Sequence, residues 1–304
     1  MPKRSLVVVI CNKDLWQFHM LCLSIKKYIK KTIIFHVIFN ENDEHYESFL
    51  QWYRYFCKKD LLGHNVKLYK KTDFWPPEAE NHLRPLQLDG WVDQQVIKLL
   101  ISKRITTPEY VVFDSKNFFI RDCTLDDIRQ VHPANIGWTH EHLENWVKTC
   151  CKHYDLHYPG RQMKLTQNIT PYIIGTKYAQ DLVNEFGSDE KFHFWFTDLS
   201  RHDKLNPAEF FLYEIYTMKK GVRNRGTTGQ NTFSIWSFMH DDYEWKIPDY
   251  IKALQHEITT RDIKVSALHK RMREIFTIDD VIEIYKSIGA EDIIPLINHP
   301  FLKN

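Results

Sequence analysis

The chain has 304 residues, enough for one large domain with a full core. Lys and Arg number 41 against 39 Asp and Glu, a formal charge of +2, so no global field selects nucleic acid or another polyanion as partner. The six cysteines (Cys11, Cys22, Cys57, Cys123, Cys150, Cys151) form no Cys-x-x-Cys pair, which argues against a disulfide scaffold or a zinc site and for free thiols in a reducing compartment.

In chain order, Lys3 and Arg4 precede an apolar run at 5–11 that is too short for a signal-peptide core and reads as a buried strand. An amphipathic helix is predicted over 15–29, a strand over 32–39, a helix over 43–56 and a short strand over 66–69. A helix over 91–105, closed by Thr106-Thr107-Pro108, feeds a strand over 110–113. Such alternation predicts right-handed βαβ units, a mostly parallel sheet and helices on both faces. Further on, strands are expected near 135–140, 170–175 and 262–268, with helices over 177–186 and 207–219. Residues 132–167 show no readable periodicity beyond aromatics such as Trp138, Trp146, Tyr154 and Tyr158, and read as loops that would build an acceptor pocket. Residues 278–288 and 290–297 read as two short helices split by Gly289. The organisation expected is one α/β domain over 1–276 and a helical extension over 277–304 packed on it. No run reaches transmembrane length, so a cytoplasmic protein is expected, able to sit peripherally on a membrane through Lys26-Lys27 and Lys30-Lys31.

The chemistry concentrates where the 110–113 strand ends in Asp114-Ser115-Lys116-Asn117. Open α/β sheets bind ligands outside the carboxyl ends of their strands, so Asp114 stands where a carboxylate enters a cleft. A β-turn built on Asp and Asn is the plain structural reading. The segment resembles the Asp-x-Asp motif of GT-A nucleotide-sugar glycosyltransferases, with Lys116 in place of the second acid. It is similar to the Asp-Ser-Lys-Asn variant of a little-characterised branch of GT-A-like proteins. The resemblance covers roughly residues 5 to 275. It implies a GT-A-like (Rossmann-type) domain, a UDP-, GDP- or dTDP-type sugar donor, and a saccharide or glycan acceptor. Hexosyl or pentosyl transfer, with inversion, is the implied reaction.

On the preceding helix Trp91, Gln94, Gln95 and Lys98 share one side by their spacing of three and four. The resemblance assigns Gln94, Gln95 and Lys98 to the donor sugar, against the plain reading of a solvated helix face. Asn12 and Lys13 follow the first strand and Asn40 and Glu41 the second, where a nucleotide base and ribose would dock. Late in the chain His269, Lys270 and Arg271 follow a strand, and the resemblance puts them on the diphosphate or a metal. His240 is the competing histidine, read as a surface turn. Glu209, in a segment similar to the family's Glu-aromatic-x-Leu-Tyr helix, is the base for the acceptor hydroxyl, with Asp198 second. Asn206, Pro207 and Glu209 also make an ordinary helix start. The basic loop 221–226 matches no phosphate-loop pattern.

Two metal readings follow, beside a third in which Asp114 only hydrogen-bonds the sugar or ribose. Asp114 and His269 would hold Mn²⁺ or Mg²⁺, or Lys116 would stand in for the ion. Catalytic weight thus falls on Glu209, Asp114 and Lys116, with Ser115 and Asn117 completing the donor loop. The rivals are a nucleotidyltransferase acting on sugar phosphates, which needs paired carboxylates, and a catalytically silent carbohydrate-binding protein.

Overall fold

The computed structural model describes residues 2–74, 90–129, 134–135, 141–160, 163–165, 170–200, 207–222, 232–234, 262–268 and 277–287, with single positions 249, 252, 256, 289 and 291. A five-stranded sheet organises them in the order β3-β2-β1-β4-β8. Its strands are β1 (Arg4–Ile10), β2 (Ile34–Phe39), β3 (Asn65–Lys70), β4 (Glu109–Asp114) and β8 (Tyr172–Gly175). The first four run parallel, and β8 is antiparallel on the edge beside β4. A mostly parallel sheet must be covered on both faces, and β1 shows the consequence: Leu6 to Ile10 are all buried.

The two faces are covered by different helices. Leu6, Val8, Ile10, Phe35, Val37 and Phe39 pack with α1 (Leu15–Tyr28) through Phe18, Leu21 and Ile25, and with α2 (Tyr46–Phe56) through Phe49 and Tyr53. Val7, Val9, Tyr110, Val112, Tyr172 and Ile174 belong to the opposite core. It is closed by α3 (Gly90–Leu100), α4 (Glu141–His153), α5 (Thr176–Glu185), α6 (Asp189–Ser200) and α7 (Glu209–Lys219). The strand order reverses between β1 and β4, and there the sheet opens a crevice at its carboxyl edge.

The expected βα alternation is present, with boundaries shifted by up to three residues, and α6 has no counterpart among the expected elements. Three features depart from it. The helix expected over 91–105 changes at Leu100 into a 3-10 turn, Ile101–Arg104. Residues 141–153, expected as loop, form α4, because Leu143, Trp146, Val147, Cys150 and Cys151 recur at helical spacing and face the core. A second sheet of order β5-β10-β9, from Asn117–Phe119, Val265–Ala267 and Thr232–Ser234, joins the residues after Asp114 to the end of the chain. A two-stranded pair, β6 (Ala134–Asn135) with β7 (Lys164–Leu165), lies apart from both, and residues 136–140 of the expected strand are outside the described residues. Helix α8 (Ile278–Ser287) packs Tyr285 onto the second sheet, 3.3 Å from Ser266 Oγ and 5.5 Å from the Phe118 ring. All six cysteines are free thiols. Among the described residues no helix is long and apolar enough to cross a membrane.

Candidate active site

Asp114 is the last residue of β4 and pairs in register with Val9, so it stands at the carboxyl edge beside the end of β1. Its main-chain N–H donates to Asn117 Oδ1 at 2.8 Å, which closes the turn Asp114-Ser115-Lys116-Asn117 and starts β5. Both of its carboxylate oxygens are engaged. Lys98 Nζ lies 3.0 Å from Oδ1, while Lys116 Nζ at 3.0 Å and the Thr170 hydroxyl at 3.0 Å reach Oδ2. Asn117 Nδ2 donates to the Thr170 carbonyl at 3.4 Å, tying the turn to the residues ahead of β8.

Lys98 is the centre of the arrangement. It projects from α3, is 4 % exposed, and bonds Glu209 Oε1 at 3.0 Å as well as Asp114. Its Nζ lies over the Phe210 ring, 5.3 Å from the centroid. Glu209, the first residue of α7, is also 4 % exposed, and its main-chain N–H donates to Gln95 Oε1 at 3.2 Å. An unpaired ammonium could not stay charged in so dry a position; two carboxylates make it possible. Burial alone would lower the Lys98 pKa, but Asp114 and Glu209 outweigh it and hold the ammonium above its ordinary range. For Asp114, burial alone would raise the pKa, and Lys98 and Lys116 reverse this, holding the carboxyl well below the usual carboxylate range.

The other expected residues distribute around this cluster. Ser115 is buried and donates to Gln17 Oε1 at 3.4 Å; Gln17 Nε2 in turn donates to the Leu268 carbonyl at 2.9 Å. The Leu268 N–H donates to the Lys116 carbonyl at 3.0 Å, so the residue before His269 is fixed against the Asp114 turn. His269, Lys270 and Arg271 themselves lie outside the described residues, as do Asn206, His240 and most of the 221–226 loop. Asn40 holds the start of α3, its Nδ2 donating to the Gly90 carbonyl at 2.8 Å, and its buried Oδ1 is left without a hydrogen bond. Asn12 and Lys13 are exposed at the end of β1, and the Asn12 N–H donates to Glu41 Oε1 at 3.2 Å. Gln94 is half-buried on α3, whereas Gln95 and Lys98 are buried, so those two are not a solvated helix face.

The chain belongs to the DUF6492 family. The family model, described as a family of unknown function, matches residues 1–257, which contain every site residue just named except Leu268 and the 269–271 segment. No curated protein matches the DUF6492 chain. Among solved structures, the apo form of mouse xyloside xylosyltransferase 1 is similar at 7 % identity and a TM-score of 0.47, over 88 % of this chain and 97 % of that one. The apo structure of WbbM, a bifunctional glycosyltransferase, is similar at 16 % identity and a TM-score of 0.48, over 96 % of this chain but 51 % of its own, so the DUF6492 chain spans about half of it. Likenesses this faint carry no weight on activity.

Several members of the candidate cluster carry little signal in the sequence. Gln17 sits among the apolar positions of α1, and a lone polar residue on that face was its one signal. Thr170 carried no signal beyond preceding a proline. A second constellation lies at the start of α3, with Asp93 and His193 buried and Lys71 half-buried. Lys71 Nζ is 2.8 Å from Asp93 Oδ2 and His193 Nε2 is 3.3 Å from Oδ1. Burial alone would raise the Asp93 pKa, and His193 and Lys71 pull it below the ordinary value.

A divalent cation demands oxygen donors with lone pairs to give. Asp114 has ammonium or hydroxyl hydrogens on both oxygens, and a cation placed there would meet Lys98 and Lys116 at close range. Among the described residues no group of three or more His, Cys, Asp or Glu side chains could hold a metal ion, and His269 lies outside them.

Proposed function

We propose that the chain is a GT-A-like glycosyltransferase, moving a hexosyl or pentosyl group from a nucleotide-sugar donor to a saccharide acceptor with inversion and without a metal ion. One observation carries this reading: a carboxylate at the strand-order reversal, Asp114, is joined through buried Lys98 to a second carboxylate, Glu209. The Asp-Ser-Lys-Asn resemblance supports it.

In the displacement the acceptor oxygen bonds to the anomeric carbon as the bond from that carbon to the β-phosphate oxygen breaks. The diphosphate departs with the bonding electrons, and the acceptor proton passes to Glu209. Lys98 holds Oε1 of Glu209, which leaves Oε2 as the atom that takes the proton. Lys116, 28 % exposed, is the cation that swings from Asp114 to the leaving diphosphate, with His269, Lys270 and Arg271 beside it. Asn12, Lys13 and Asn40 line the base and ribose end of a UDP-, GDP- or dTDP-type donor, and Gln94 the sugar. Gln95 orients Glu209 through its main-chain N–H. Free thiols throughout suit a cytoplasmic protein.

The nucleotidyltransferase alternative needs paired carboxylates on metal, and the two lysines on Asp114 oppose it. The test is release of free nucleoside diphosphate from a panel of nucleotide sugars with mixed glycan acceptors. One donor is expected to turn over, and Glu209→Gln to lower the rate roughly 10²–10⁴-fold with donor KM little changed. Undiminished turnover by Glu209→Gln would remove the base assignment. Glycan binding with no turnover of any donor would leave a silent carbohydrate-binding protein.

A further inference from the structure

Helices α1 and α2 run back across the sheet from its carboxyl to its amino edge, so their last turns lie at the end opposite Asp114. That end carries Lys26, Lys27, Lys30 and Lys31 from α1 and its exit, and Arg54, Lys58 and Lys59 from α2 and its exit, all exposed. Lys26 bonds Asp60 at 2.8 Å, which joins the two groups into one surface. Lys30 pairs with the exposed Asp122 at 2.8 Å, and Asp127 interacts with Lys31. The excess remains positive on a chain whose total charge is +2.

Helix dipoles explain cations in a last turn, and so account for Lys26, Lys27 and Arg54. They do not account for Lys58 and Lys59, nor for two neighbouring apolar side chains. Tyr55 in the last turn of α2 is 75 % exposed and Leu62 in the following turn is 74 % exposed, the highest values among the large apolar side chains described. Exposed cations in the same and adjoining turns as an exposed aromatic and an exposed aliphatic tip match an anionic bilayer. The headgroups meet the lysines and the two tips enter the acyl boundary.

We propose that this amino-edge face docks on anionic membrane. The strands are six or seven residues long, so the Asp114 crevice then opens about 20 Å above the headgroups and faces the aqueous phase.

Co-sedimentation of the full chain with vesicles tests this. Vesicles of phosphatidylcholine alone are compared with vesicles holding one part phosphatidylglycerol in four, at low and high salt. Binding is expected only with phosphatidylglycerol and is expected to fall as salt rises. Lys58→Ala with Lys59→Ala should weaken it on the order of tenfold or more. Tyr55→Ser with Leu62→Ser should weaken it as well, each double variant keeping the parent circular dichroism spectrum and Tm. Absence of binding, equal binding to neutral vesicles, or parent-like binding by both double variants would overturn the proposal. A surface for an acidic protein would give the first of these.

Discussion

At the residue scale the decisive group is Lys98, whose charge is tolerable in the core because two carboxylates share it. Lys98→Met should destabilise the fold by about 3–5 kcal/mol, because it leaves Glu209 a buried anion without its cation and Asp114 with Lys116 alone. Adding Asp114→Asn and Glu209→Gln to it should recover much of that loss while activity stays absent. Denaturant melts of the single and triple variants check this. The cluster should also be silent over most of the pH range. The depressed Asp114 pKa gives stability that is present above the ordinary value of 3.8 and lost as pH falls below it. The raised Lys98 pKa gives stability that is present below 10.5 and lost as pH climbs through the higher folded value.

Between pH 6.5 and 4 the stability slope falls to histidines whose pKa burial lowers. Burial, helped by Lys67, brings His36 from 6.5 down to about 4, so its contribution is whole above 6.5 and is lost as pH falls toward 4. His64 and His153 are lowered by burial in the same sense. Replacing His36, stacked on Tyr69 at 5.8 Å, with Gln should flatten the stability slope between pH 6.5 and 4 in urea melts at several pH values. An unchanged slope would contradict this.

At the element scale, legibility followed locality. β1, β2 and β4 were readable because burial on both faces forces unbroken apolar runs. The helix over 141–153 was not, since Glu141, His142, Glu144, Asn145 and Lys148 dilute its apolar stripe. β5 and β10 were hidden as a pair because each is three residues long and their partnership is set by tertiary contact. The same holds at the site. Asp114 announced itself by ending a strand, while the Lys98–Glu209 pair spans 111 residues of sequence and only folding joins them. β8 meets α7 closely: the Gly175 N–H donates to Tyr213 Oη at 2.8 Å. A Cβ at Gly175 would stand 2.9 Å from Tyr178 Cδ2 and 3.2 Å from Tyr213 Oη. Gly175→Ala should therefore cost about 1–3 kcal/mol by overpacking, read as a lower urea midpoint. A midpoint unchanged from the parent would mean that this contact yields.

At the scale of the whole molecule, the two proposed tasks fall on opposite edges of the sheet. The carboxyl edge gathers β1, β4, α3, α7 and the Leu268 end of β10 around one charge cluster, while the amino edge carries the cationic surface. In the proposed reading the lysines of that cluster replace a divalent cation. Nucleotide binding should then survive chelation and depend on Lys116. Thermal-shift measurement with a panel of nucleoside diphosphates and their sugars, in EDTA and in Mn²⁺, tests this most directly, since a ligand of the folded state raises Tm by an amount that grows with the ratio of its concentration to its Kd. The prediction is a shift selective for one nucleotide, equal in EDTA and Mn²⁺, and diminished in Lys116→Ala. A shift confined to Mn²⁺, or none with any nucleotide, would contradict it.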